Sequence, residues 1–496
     1  MKRAMCLLLC VLTVSLVTIG CSTKELTSAS AESAPEIGEK TSETPPSPSE
    51  GKPGETPPSP PEGKPGETPP SPPEGKPGEM PPAPPGGMQQ EPDNYAAVIT
   101  IEGNDERNGE KITSTGKDEN VIHIASGTVS LKNMDIQRVS EEGEESDAYS
   151  FFGTGAAVLS TGGKLSFEGG NIETDALGGA GLFAYKDGVI TAADCSILTR
   201  KNLSGGIHVA GGGKLTAENV SAETYGRSSA AIRSDRGGGY LQVSGGKYVS
   251  YGDRSPAIYC TADIEVEGAY LEAKKSEGIC IEGRNSLSLK DCTLISNMPD
   301  QSENDSTWSV IVYQSMSGDS EIGKGTFRMS GGKLISQNGG LFYTTNTESE
   351  ILLSNVAIEQ SEDSEYFLAC LGNANERGWG ATGANGAKCA FTADNQSMRG
   401  NVLWDQSSEL RFTMQNGSEL TGAFLCDNSF SGESGTGYAD LYISENSKWI
   451  VTENSRLSKL ENKGTIVDAD GNSVSIIDKT GNEIVKGESI YHITID

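Results

Sequence analysis

A left-handed bend recurs along this chain, and it forces the intervening segments to be short strands. Nine segments fit the 11-residue template x-h-x-h-x-[GND]-x-x-h-x-x, where h is apolar. They are 128–138, 164–174, 189–199, 214–224, 240–250, 263–273, 286–296, 326–336 and 350–360; the first reads TVSLKNMDIQR and the last EILLSNVAIEQ. Their sixth positions are Asn133, Gly169, Asp194, Asn219, Gly245, Gly268, Asp291, Gly331 and Asn355. Only these residue types tolerate a positive φ at low cost. The apolar residues before the bend alternate with period two, which is a strand and not a helix.

Spacing converts the bends into an architecture. The first apolar positions are Val129, Leu165, Ile190, Leu215, Leu241, Ile264, Leu287, Phe327 and Ile351, in steps of 36, 25, 25, 26, 23, 23, 40 and 24. A repeat of 23–26 residues with strand character and no helix pattern is a solenoid signature. The leucine-rich-repeat frame, of similar length, is missing. One coil cannot bury its own apolar side, so stacking must build the core. The expected fold is all-β: a single-stranded parallel β-helix over 95–470, closed by capping strands at 471–496. Residues 94–103 are expected to cap the other end, and 139–155 and 297–309 to be loops that lengthen two coils.

On this coil length, these bend residues and these apolar ladders, residues 96–470 resemble the right-handed parallel β-helix proteins of the pectin-lyase-like superfamily. The resemblance implies the handedness. That superfamily holds lyases, hydrolases, adhesins and non-catalytic surface proteins, so the fold does not choose among them.

The N-terminus supplies an address. Lys2 and Arg3 precede an apolar run from Ala4 to Ile19, then Gly20-Cys21. This pattern describes a secretory leader, residues 1–20. The ending TIGC resembles the bacterial lipobox, with Thr18 where Leu is usual. The resemblance implies cleavage before Cys21 and lipid attachment to its sulfur, which anchors the chain on the extracellular face of a bacterial membrane. Residues 21–94 are Pro-, Ser-, Gly- and Glu-rich and carry a 12-residue repeat, PPSPPEGKPGET. Such a composition cannot bury enough surface to fold, and reads as a disordered stalk. Its Pro-rich part could span on the order of 150 Å when extended.

The net charge is −30. There is no basic stripe to displace counterions, so nucleic acid is not an expected partner. Polyanionic glycans are also disfavoured, whereas neutral glycans, cationic molecules and proteins stay open. Ten cysteines occur, of which Cys6 and Cys10 leave with the leader and Cys21 would be acylated. Of the seven others, Cys195 and Cys292 are too many coils apart to meet, and Cys260 and Cys280 point to opposite faces. Free thiols in core positions are the expectation.

No catalytic residue, metal site or cofactor is assigned. His123, His208 and His492 are the only histidines, and no Ser-His-Asp spacing exists. The Asn-Thr-Asp, Asp-Asp, His-Gly and Arg-Ile-Lys set of polygalacturonases is absent, as is the Arg-x-Pro-x-x-Arg run of pectate lyases. One column stands out instead. In the strand before each template, Ile207, Ile232, Ile258, Ile279 and Ile311 read as an inward ladder. The next residues, Phe183, His208, Arg233, Tyr259, Cys280, Val312 and Phe342, then point outward. A wetted strand would carry Thr, Ser, Lys or Glu there. Either a loop or a terminal region covers this face, or Phe183, His208, Arg233, Tyr259 and Phe342 contact a ligand. A catalytic use of His208, Arg233 and Tyr259 as acid, clamp and base is a further alternative. Residues 361–496 follow the template less well, and Trp379, Trp404 and Trp449 fall there as a conceivable sugar-binding cluster or as packing.

The expected function is therefore surface display of a non-catalytic β-helix that recognises an extracellular glycan or protein. The alternatives are a carbohydrate-active enzyme on the same fold and a structural spacer.

Overall fold

Every one of the nine bend residues adopts a positive φ, from 50° at Asn133 to 66° at Gly169 and Gly268. The computed structural model describes residues 90–299, 307–431 and 435–496. The leader, Cys21 and the stalk up to residue 89 lie outside the described residues. The bends stack. Val129 pairs with Leu165, Leu165 with Ile190, and the series continues through Leu215, Leu241, Ile264, Leu287 and Phe327 to Ile351. All these pairings are parallel, and each coil lies in register on the last. The chain is an all-β parallel β-helix.

Three walls enclose the core. The first is a 13-stranded sheet that begins at Ala97–Glu102 and ends at Phe424–Cys426. The second carries the template strands before the bend, such as Gly213–Glu218, and the third carries those after it, such as Ser221–Thr224. Second and third walls are joined through the bends into one 22-stranded sheet, and a 4-stranded sheet from Ser397–Arg399 to Thr465–Asp468 continues the third. The ladder runs straight through the corners: Asn219 N–H donates to Ser244 O at 2.8 Å, and Gly268 N–H to Lys290 O at 2.9 Å. Side chains add a second ladder, with Asn219 Nδ2 donating to Asp194 Oδ1 at 2.6 Å. Such continuity pairs the backbone N–H groups of these bend residues with the next coil.

Gly246, one residue past the bend of its coil, has φ +84°, and a Cβ there would lie 2.2 Å from the Val220 carbonyl oxygen of the coil before. Gly246→Ala is therefore expected to destabilise the fold by at least about 2 kcal/mol, through both the left-handed backbone and the clash. Urea denaturation of the two proteins checks this, and an unchanged midpoint would contradict the stacking.

The sequence reading needs correction in several places. Residues 94–103 lie at the expected end, where Ala97–Glu102 is the first strand of the first wall and pairs with Asn120–Ser126. The expected loop at 297–309 ends too late, because Trp308 and Ser309 open the strand Trp308–Tyr313. Beyond Ile351 the second wall continues through Phe391, Phe412, Leu441 and Leu460 in register. Segment 390–400 fits the template, with Asn395 at φ 49°. In the coils that bend at Asn416 and Asn446 one extra residue separates the apolar positions on either side of the bend, which is why 361–496 follows the template less well. At the end, Ser475–Asp478 pairs antiparallel with Glu483–Val485 and parallel with His492–Ile495, which also pairs with Ser455–Leu457.

The core changes character along its axis. Its first half is aliphatic, built on residues such as Ile190, Ile232, Ile258 and Leu271. Its second half holds a chain of aromatic contacts from Phe327 through Phe342, Phe367, Phe391, Phe412 and Phe424 to Trp449. The seven cysteines of the described residues are all free, and all but Cys426 are buried.

Candidate functional site

Alternation along the first wall places one column of side chains outside the core. Pairing aligns His123, Leu159, Phe183, His208, Arg233, Tyr259 and Cys280. The column then continues through Ile311 and Tyr343, because Cys280 pairs with Ile311 and Ile311 with Tyr343. The expected membership of Val312 and Phe342 is thus wrong by one residue, as is that of Ile311 in the inward ladder. Val310 takes the inward place beside Ile279, and Phe342 follows it into the core, where its ring lies 5.9 Å from that of Phe391. The run Val310-Ile311-Val312 is apolar on both faces, so alternation could not reveal its register.

Aromatic side chains pack on both ends of the column. At one end Phe152, in the short helix Ala148–Phe152, and Tyr95 pack on Leu159, Phe183 and Tyr185. His208 is sealed here: it stacks on Phe183 with ring centroids 4.0 Å apart and is 1% exposed. Neither ring nitrogen has a hydrogen-bond partner among the described residues. Burial, followed by the charge of Arg233, pushes its pKa well below the usual histidine range, against a small opposing contribution from the Ser150 backbone. His208 lies in the covered part of the column and does not line the notch. At the other end Trp308, Tyr313 and Trp379 pack on Ile311, Tyr343 and Leu403. Trp404 and Trp449 lie elsewhere as core residues, with indole N–H groups donating to Arg456 O at 3.1 Å and Gly422 O at 2.9 Å. The tryptophans form no common sugar platform.

Between the covered ends lies an open notch of about 300 Å³, lined by Asp147 and Phe151 on one side, Ser317 and Asp319 on the other, and Arg233, Asp235, Arg236, Arg254 and Tyr259 on its floor. Arg233 reaches Asp235 Oδ2 through Nε at 3.2 Å and Nη2 at 2.8 Å, and donates to Ser228 O at 2.5 Å. Its guanidinium lies 5.9 Å from the Tyr259 ring centroid. Arg236 bonds Asp319 Oδ1 at 2.9 Å while covering the Phe151 ring at 4.1 Å, so one side chain clamps both loops. Its Nε has no partner among the described residues. Tyr259 Oη donates to Glu282 Oε2 at 2.8 Å, and Tyr313 Oη and Ser315 Oγ donate to the same carboxylate.

Local packing positions these groups. Thr224 Oγ1 donates to Ser229 O, and Ser229 N–H bonds Ser255 Oγ at 2.8 Å, which fixes the corner entering the strand that bears Arg233. Burial pushes the pKa of Asp235 up, with the Arg233 guanidinium opposing it. Burial also raises Glu282, against the hydroxyls of Ser315 and Tyr259. Tyr259 is held far above the usual phenol range by burial, then by Tyr313 and Glu282. No group of three or more His, Cys, Asp or Glu among the described residues could hold a metal ion.

The structure thus unites Phe183, His208, Arg233 and Tyr259 in one column and leaves Phe342 out of it. Asp235, Arg236, Arg254, Glu282 and Asp319 were missed. Asp235 and Glu282 were legible, since each stands two residues after a column member and alternation turns it outward. Asp319 was not, because it comes from the 314–323 segment, whose return over the wall is a long-range event. No family model matches this chain, and neither a curated protein nor a solved structure is similar enough to be matched to it.

Proposed function

We propose that this chain is a bacterial surface lipoprotein of the pectin-lyase-like kind, anchored through Cys21, which displays its β-helix to bind an extracellular glycan without chemical conversion. The observation that carries the reading is the notch, where both loops and the wall present alternating donors and acceptors around one small opening. Arg254, Ser228 and Ser317 offer donors, Asp147 and Asp319 offer acceptors, and Tyr259 offers a ring edge. That mixture suits a hydroxyl-rich neutral sugar, which needs both kinds of partner at fixed positions. The shielding of His208 and the commitment of the Tyr259 hydroxyl to Glu282 favour binding over the enzyme alternative.

The test is a glycan array with the purified full chain, followed by titration of each hit. Arg254→Ala and Asp319→Ala are each expected to weaken the hit about tenfold or more, as loss of a charged hydrogen bond implies. Absence of any hit, or undiminished binding by both variants, would refute the reading. Reducing-sugar and unsaturated-product assays run beside it. Product formation that Arg236→Ala abolishes would replace it with the enzyme alternative.

A further inference from the structure

A second cleft, of about 380 Å³, opens at the starting edge of the same wall, on coils beyond the notch. Aromatic residues line it: Tyr366 and Phe430 are half-buried at the opening, and Trp308 and Tyr343, each 3% exposed, back them. Trp308 stacks on Tyr343 with centroids 5.4 Å apart and planes 25° apart, and sits 6.1 Å from Tyr366. The indole lies across Gly340, where a Cβ would be 2.1 Å from Cζ3, so only glycine on the next coil admits this ring. Trp308 is 3% exposed and its N–H has no acceptor among the described residues, so the ring is held by packing.

The rim is acidic. Asp363, Glu365 and Asp427 line the opening, and neither lysine nor arginine does. None of the three carboxylates enters an ion pair among the described residues, although most lysines and arginines of the walls are so paired. The pKa of Tyr366 is raised, first by burial, then by the charge of Glu365 and a hydrogen bond to it, and then by the charges of Asp427 and Glu453.

We propose that this cleft binds a small organic ammonium ion, the quaternary or alkylated amine head of a ligand. Aromatic faces attract a cation through their quadrupole, and they prefer a weakly hydrated alkylated ammonium to a strongly hydrated metal ion. Carboxylates that no ion pair neutralises add direct attraction, although Asp427 Oδ1 already accepts from Ser429, and the net charge of −30 raises the local concentration of cations. An anionic ligand would meet three like charges. A neutral sugar would stack on the rings but leave the carboxylate charge uncompensated. The cleft shares no lining residue with the notch, so this inference stands or falls independently of the glycan reading.

The experiment titrates choline and its neutral carbon isostere, 3,3-dimethylbutan-1-ol, into the purified full chain by calorimetry. Choline is expected to bind at least about tenfold more tightly than the isostere, the factor that a desolvated cation–aromatic contact supplies. Glu365→Gln combined with Asp427→Asn is expected to weaken choline about tenfold without moving the melting temperature, because Glu365 is exposed and Asp427 half-buried. Trp308→Leu should weaken it further, and Arg254→Ala in the notch should leave it unchanged. Equal affinity for the isostere, no choline binding at millimolar concentration, or an unaffected double variant would each overturn the proposal.

Discussion

Replacing Phe391 by alanine is expected to lower the stability of the β-helix by about 3–5 kcal/mol. The ring is fully buried and stacks on Phe412 with centroids 4.7 Å apart and planes 15° apart. It also touches Phe367 at 5.3 Å and Phe342 at 5.9 Å, so it joins the first and second walls. The cavity cannot collapse, because Phe391 is held between Ile351 and Phe412 by parallel ladders on both sides. Phe391→Leu keeps most of the volume and should cost less than half as much. Urea unfolding followed by tryptophan fluorescence reads the effect, since Trp404 and Trp449 sit in the affected half. A solenoid is stabilised by neighbouring coils, so the C-terminal coils should melt first in the alanine variant. A loss below about 1 kcal/mol would mean that the aromatic chain is not a tight core.

Arg233→Ala should cost a similar amount, about 3–5 kcal/mol, for a different reason. Its partner Asp235, which accepts both bonds on Oδ2, has a side chain only 3% exposed, so removing the guanidinium leaves a shielded carboxylate without its counter-charge. Asp235 keeps one backbone bond, from Arg236 N–H at 2.9 Å, which is not enough to hold an isolated charge. The double variant Arg233→Ala/Asp235→Ala should recover most of the loss, because no charge is then stranded. Arg233→Lys should recover little, since an ammonium cannot reproduce the paired bonds to Asp235 and the third to Ser228. A double-mutant cycle from denaturation curves measures the coupling. A cost for Arg233→Ala near that of an exposed ion pair would show that water reaches Asp235 in the folded chain.

These two sites differ in how far the sequence exposed them. Arg233 and Tyr259 were placed by alternation from Ile232 and Ile258, because each polar residue follows an aliphatic one in a strand with unambiguous faces. Phe391 was missed although 390–400 fits the bend template, since the loop 371–387 lengthens the coil before it and breaks the apparent period. Val312 and Phe342 were misplaced because their strands are apolar on both faces. A strand buried on one side and covered on the other carries no period-two signal. The template asks for an apolar residue and is blind to its size, so it did not show that the second half of the interior is a chain of aromatic contacts.

By itself the sequence determined the bends, the coil length and the stacking order. Each rests on a local property: a residue type that tolerates positive φ, and side chains that alternate along an extended backbone. Only the tertiary structure decided which outward side chains are covered and which remain open. Covering depends on where 139–155, 314–323 and 371–387 return over the first wall, and those returns depend on contacts such as Arg236 with Asp319, 83 residues apart. A loop's destination is chosen by the surface it meets, and that surface exists only once the coils have stacked.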